Sequence, residues 1–137
     1  MATLDAPARL AALERWGLRD NGREEAFDRC ARRARELLRT RVGLVSLVDD
    51  RCQRFKGAAG LDLDGTPLSH SFCRHVVEDE APLVIPDARR DERLRCSPAI
   101  TQLGMVAYCG VPLRDHDGHA LGALCVIANQ PRRWTGR

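Results

Sequence analysis

Apolar and polar positions alternate along this chain with two different periods, and the change of period marks its elements. Phe27, Cys30, Ala31, Ala34, Leu37 and Leu38 fall at i, i+3, i+4, i+7, i+10 and i+11. Arg29, Arg32, Arg33, Arg35, Glu36 and Arg39 take the opposite side, so the spacing predicts an amphipathic helix with one buried stripe. Asn21 followed by Glu24 has the form of a capping box for it. A shorter helix is expected from Asp5 to Trp16, with Asp5 as cap, Pro7 in the first turn and Gly17 as stop.

From Val42 to Val48 the run VGLVSLV is apolar on both alternating faces, which predicts a strand inside a sheet. Asp49-Asp50 makes a turn, and Cys52 to Ala58 returns as a strand nearer an edge. A loop over 60–69 leads to a short helix through Phe72, Val76 and Val77, capped by Ser69 or Ser71 and stopped by Pro82. Leu83 to Ile85 is a short strand, 89–95 a charged surface stretch, and Ser97-Pro98 the start of a brief helix. Two long apolar strands follow, Met105 to Leu113 and His119 to Ala128, joined by a turn containing Asp117-Gly118. Tight hairpins between strands argue against a doubly wound parallel sheet; they predict an α+β fold with an antiparallel sheet and helices on its faces.

The 137 residues suffice for one domain with a core and are too few for two. No apolar run reaches the roughly 18 residues of a membrane helix, and no secretion signal opens the chain. A cytoplasmic protein with no membrane partner is expected. Of 22 basic residues 21 are Arg, against 19 acidic ones. Over 23–41 seven Arg face four acidic residues, a salt-paired solvated face rather than a nucleic-acid footprint.

Six cysteines (Cys30, Cys52, Cys73, Cys96, Cys109, Cys125) contain no Cys-x-x-Cys pair, and nothing signals secretion, so reduced thiols are expected. Cys30, Cys109 and Cys125 fall at apolar positions and read as small fillers. Cys73 is the best nucleophile candidate, because the start of a helix lowers a thiol pKa. His75 beside it points elsewhere on a helix, so sequence adjacency makes no catalytic pair and no catalytic residue is assigned. His116 and His119 are the nearest approach to a metal-binding pair, but they flank a turn without a cysteine partner, and no metal is assigned.

Several ordered segments resemble the GAF domain family, in a bacterial branch found with histidine kinases and diguanylate cyclases. They are Leu4-Asp5-Ala6-Pro7-Ala8-Arg9; Asp49 with Arg51 and Gln53-Arg54-Phe55-Lys56; Gly60-Leu61; and Ser71-Phe72-Cys73-Arg74-His75-Val76-Val77. Pro82-Leu83-Val84-Ile85-Pro86-Asp87-Ala88, Tyr108-Cys109-Gly110-Val111-Pro112-Leu113, and Gly118 with Gly122 and Leu124-Cys125-Val126-Ile127 complete the set.

The resemblance implies a GAF/PAS-like central antiparallel sheet of five or six strands with helices on both faces. It implies one domain over 1–137: an N-terminal helix and connector over 1–20, a core over 21–130 and a tail over 131–137. In that branch the chain runs on from Pro131-Arg132 into an output or dimer helix, which leaves open a stand-alone protein or a fragment. A pocket between the sheet and residues 60–103 is implied, with Phe72, Cys73, Val76, Asp87 and Tyr108 as its lining. The role implied is a non-catalytic module sensing a small molecule or redox state, dimeric through its helices, beside a histidine kinase or diguanylate cyclase output domain. No resident cofactor is expected; an unknown small-molecule ligand is.

Two alternatives stand beside this reading. One is a free methionine-(R)-sulfoxide reductase-like enzyme using Cys73 and Cys96, although Phe72-Cys73-Arg74 and Cys96-Ser97 depart from that enzyme's Val-Cys-Gly and Cys-Asp patterns. The other is a ligand-free dimerisation domain. Bilin attachment is disfavoured because Arg74 separates Cys73 from His75 and aromatic rings are few; the cyclic-nucleotide signature and phosphate-binding glycine loops are missing.

Overall fold

The computed structural model describes residues 4–15 and 24–134. Six strands, β1 (Val42–Val48), β2 (Cys52–Ala59), β3 (Gly65–Pro67), β4 (Leu83–Ile85), β5 (Ala107–Arg114) and β6 (Ala120–Ala128), form one antiparallel sheet in the order β3-β2-β1-β6-β5-β4. Helices α1 (Pro7–Arg15) and α2 (Glu25–Leu38) lie on one face; α3 (Cys73–Asp79) and α4 (Pro98–Leu103) cover the other. The α+β class and the antiparallel sheet are as the sequence predicts, and the strand number is six. None of the described helices is long and apolar enough to cross a membrane.

β1 lies mid-sheet with all seven residues buried, which is why its run is apolar on both faces. β3 lies inside the stretch read as a loop. Three residues are too few to show a period, and pairing with β2 from Cys52↔Pro67 to Arg54↔Gly65 is what makes them a strand. β5 starts at Ala107 instead of Met105, and β6 at Ala120 instead of His119. The Asp49 turn forms because its Oδ1 accepts the backbone N–H groups of Arg51 and Cys52, both at 2.8 Å. In the β5–β6 turn Asp115 Oδ1 accepts from Asp117 N and His119 N, and Gly118 takes a left-handed φ of 89°.

The helix ends differ from expectation. α1 begins at Pro7, its first-turn N–H groups go to the Ala6 carbonyl, and Asp5 makes no capping bond; Trp16 and Gly17 lie outside the described residues. Glu24 precedes α2 without a side-chain cap, its N–H bonded to the Lys56 carbonyl, and Asn21 lies outside the described residues. The stripe of α2 that meets the sheet is narrower than its pattern. Ala31 is buried, Phe27, Ala34 and Leu38 are half-buried, but Cys30 is exposed and Leu37 is 68% exposed. Phe27, Ala31, Ala34 and Leu38 follow a line of i, i+4, i+7 and i+11, and Cys30 and Leu37 stand about 70–90° off it. Cys30 is therefore no core filler.

α2 approaches the sheet closely because β1 and β2 offer glycines where it crosses. A Cβ on Gly43 would strike the Ala31 carbonyl, and one on Gly57 would strike the Phe27 carbonyl and lie 2.8 Å from Asp28 N. Asp28 anchors the same crossing by accepting from Ala58 N at 2.9 Å. Gly57→Ala is expected to push the helix off the sheet and cost about 1–3 kcal/mol. Urea titration checks this: an unchanged midpoint would mean the helix gives way without loss.

Candidate functional site

The layer between α3 and the sheet holds one large apolar cluster, and within it lies a connected set of polar groups. α3 is entered through Ser71, whose Oγ accepts the Arg74 N–H at 3.1 Å and so caps the helix as its sequence predicts. The same hydroxyl donates to Gln53 Oε1 at 2.8 Å. Ser46 Oγ on β1 donates to that oxygen at 3.0 Å, and Gln53 Nε2 donates to Thr66 Oγ1 on β3 at 2.7 Å. Thr66 in turn donates to the Pro67 carbonyl. Ser46, Gln53, Thr66 and Ser71 are all buried, so Gln53 ties three strands to the start of α3 through bonds that water does not weaken.

Beside this network sits a group of thiols. Cys73 Sγ at the head of α3 is 3.0 Å from Tyr108 Oη on β5 and 3.8 Å from Cys125 Sγ on β6. Tyr108 reaches the sulfur because its neighbour on the same strand face is Gly110; a Cβ there would come within 2.8 Å of the ring. Phe72 meets the Tyr108 ring edge-on, centroids 5.5 Å apart and planes at 68°. Hydrogen bonding from Cys125 pulls the Cys73 thiol down in pKa; burial opposes it, and Tyr108 and Ser46 add further hydrogen bonds in the lowering direction. Cys125 is pushed well up by the hydrogen bond it shares with Cys73 and by burial. Tyr108 is pushed well up, first by burial and then by the charge on Cys73. Of the three groups, Cys73 is the one whose pKa moves down, while Cys125 and Tyr108 move up.

Phe72, Cys73, Val76 and Tyr108 thus come together, each at most 3% exposed, and they fill the space under α3 with their own side chains. Asp87 stands apart. It caps the short 3-10 turn Ala88–Arg90, pairs with Arg89 at 2.9 Å through both carboxylate oxygens, and is held below the usual carboxylate range by that bond. It borders an open groove of about 800 Å³ between β4 and residues 131–133. Along that edge Arg132 N donates to the Pro86 carbonyl and Trp134 Nε1 to the Ile85 carbonyl, each at 3.0 Å. A second groove, about 610 Å³, lies on the α2 face among Phe27, Val45, Leu47, Leu113, His116 and Leu121. Phe72, Cys73, Val76 and Tyr108 border neither.

Cys96 is exposed on the loop before α4; the sulfur that faces Cys73 is that of Cys125. Cys125 reads in the sequence as a filler, and its partner is set by register: Leu44↔Cys125 and Gly110↔Cys125 put it beneath α3. Gln53, Ser46 and Thr66 escape the sequence reading too. The available signal was a single polar side chain at a buried strand position, clearest at Ser46 within the apolar run of β1, which demands a buried partner. Of the histidines, His119 Nδ1 lies 3.2 Å from Asp115 Oδ2, and Arg15 pairs with both Asp115 and Asp117 at 3.4 and 3.3 Å. Those carboxylates hold the turn and the end of α1.

Comparison with known proteins agrees with this geometry. The sequence model of the GAF domain family matches residues 22–137. The cyclic di-GMP phosphodiesterase PA2567 of Pseudomonas aeruginosa is 33% identical over 129 residues, covering 93% of this chain and 22% of that protein, so the chain spans about a fifth of the relative's length. Among solved structures, the GAF domain of an Acinetobacter phosphoenolpyruvate-protein phosphotransferase superposes with a TM-score of 0.64 at 17% identity, over 96% of this chain and 83% of that one. Free methionine-R-sulfoxide reductase from Neisseria meningitidis gives 0.65 at 16% identity, over 92% and 74%. At such identities the two structures speak for the fold.

Proposed function

The chain belongs to the GAF family, and from that premise we propose that it is a non-catalytic sensory module of bacterial signal transduction. Its input is a small molecule or a change of state of the thiols under α3. Its output passes through the helices on the opposite face to a second copy and to an output domain of the histidine kinase or cyclic-di-GMP-metabolising kind. The observation that carries the reading is the closed layer itself. Phe72, Cys73, Val76 and Tyr108 leave no open path from solvent to the thiols, which suits a group that responds to a rare opening better than one that turns over substrate. The phosphodiesterase relative supports a place in a longer signalling chain. Residues 1–20 as helix and connector, 21–130 as core and 131–137 as a tail towards that output domain fit the same proposal.

The competing activity is methionine sulfoxide reduction. NADPH oxidation coupled through thioredoxin and its reductase is expected to stay at background when free methionine-R-sulfoxide is added. Sustained turnover that disappears in Cys73→Ser would replace the sensory reading with an enzymatic one.

A further inference from the structure

Three side chains from three elements meet under α3, and two of them are thiols. Cys73 and Cys125 are 52 residues apart in sequence, lie on a helix and on the strand beneath it, and have their sulfurs 3.8 Å apart. Two packed sulfurs at that distance need to close by about 1.8 Å to reach disulfide length, which requires a small shift of α3 against β6. α3 is seven residues long, and its C-cap, Glu80, takes a left-handed φ of 52° without being glycine, so its last turn is held at some conformational cost. The Tyr108 hydroxyl lies 3.0 Å from Cys73 Sγ.

We propose that Cys73 and Cys125 form a dithiol oxidised by hydroperoxides to an intramolecular disulfide, Cys73 attacking and Cys125 resolving. The Cys73 thiolate attacks one peroxide oxygen, the O–O bond breaks, and Cys73 becomes a sulfenic acid while the second oxygen leaves as hydroxide. The Cys125 sulfur then attacks the Cys73 sulfur, forming the S–S bond and expelling the sulfenic oxygen as water, which carries off the Cys125 thiol proton; the proton that Cys73 released on ionising neutralises the hydroxide. Two thiols and one hydroperoxide give one disulfide and, for hydrogen peroxide, two waters. Cys73 is the attacking sulfur because the Tyr108 hydroxyl stands 3.0 Å from it, placed to donate to its thiolate, and the lowering of its pKa runs in the same direction. Both sulfurs are buried, so the oxidant reaches them when α3 lifts, and the rate is set by that opening. The disulfide then pins α3 to β6. Its use as a signal rests on the sensory reading above; the chemistry stands or falls separately.

The test uses the whole chain carrying Cys30→Ser and Cys96→Ser, which removes two exposed thiols without touching the core. After treatment with hydrogen peroxide, alkylation and tryptic digestion without reductant, residues 57–74 are expected to be joined to residues 115–132. The mass should be two hydrogens below the sum of the free peptides. With Cys125→Ala added, dimedone should label Cys73 instead. If both thiols are recovered alkylated only after denaturation, or if Cys73 is found bonded to Cys52 or Cys109, the proposal is overturned. Mapping the Cys125-containing protein needs no core variant, so a misfolded Cys125→Ala leaves the main result intact. Hydrogen exchange on the oxidised protein separates the two readings: a Cys73–Cys125 link with unchanged exchange across α2 supports the dithiol and counts against its signalling role.

Discussion

Tyr108→Ala is expected to cost about 3–5 kcal/mol. The ring is fully buried, stacks edge-on against Phe72, lies across Gly110 and brings its hydroxyl to Cys73. Truncation removes the ring from a site walled by β5, β6 and α3, and a sheet cannot collapse inward to fill it. Since a domain of this size is held by about 5–15 kcal/mol in total, the variant should retain a small margin or none. Tyr108→Phe separates the two contributions. It keeps the ring and loses only the hydroxyl's contact with sulfur, so about 1 kcal/mol is expected. Urea denaturation of both variants measures the difference. Equal losses would mean that the hydroxyl, not the ring, holds this part of the core.

Arg9→Met is the second large effect, about 2–4 kcal/mol. Arg9 is 3% exposed, and its guanidinium donates to the carbonyls of Val48 at 2.6 Å, Leu4 at 2.6 Å and Ala120 at 3.4 Å. One fork thereby joins α1, the residues leading into it, the end of β1 and the start of β6. Hydrogen bonds to a charged donor contribute about 1.5–3 kcal/mol each, and removing the charge gives back part of its burial cost, which sets the net figure. Met keeps the apolar stem, so packing is nearly conserved and the loss reports the fork. In hydrogen exchange, amides of α1 should lose protection ahead of those of β1 and β6. Unchanged α1 protection would show that Ala12 and Leu13 alone hold the helix on the sheet.

Most of the element list was legible in the sequence because it depends on spacing within a dozen residues. The central run Val42–Val48, the Ser97-Pro98 helix start and the Asp117-Gly118 turn each carry their own local cause. The family was legible because its segments appear in order. The errors share a different origin. Cys30 and Leu37 fit the helical period yet lie off the line that Gly43 and Gly57 admit to the sheet, so which edge of an apolar stripe is buried was decided by the surface it met. β3 was missed because its three residues become a strand only through pairing with β2.

The candidate site divides the same way. Phe72, Cys73, Val76 and Tyr108 were placed together from the family resemblance, and they do adjoin one another; Asp87 lies at the sheet edge, bound to Arg89. Cys96 was the partner considered for Cys73 because both fall on the segments around α3 and α4. The sulfur in contact is Cys125, from a strand 52 residues further on.

By itself, the sequence determined most of the elements, the sheet's antiparallel character and the GAF identity, since each is written in short spacings or ordered segments. Only the tertiary structure decided which of six thiols meet, that Gln53 joins Ser46, Thr66 and Ser71, and that the layer under α3 is closed. The physical reason is register. A side chain's neighbours across a sheet are fixed by hydrogen bonds between strands far apart in the chain, and a shift of one residue turns every one of them to the other face.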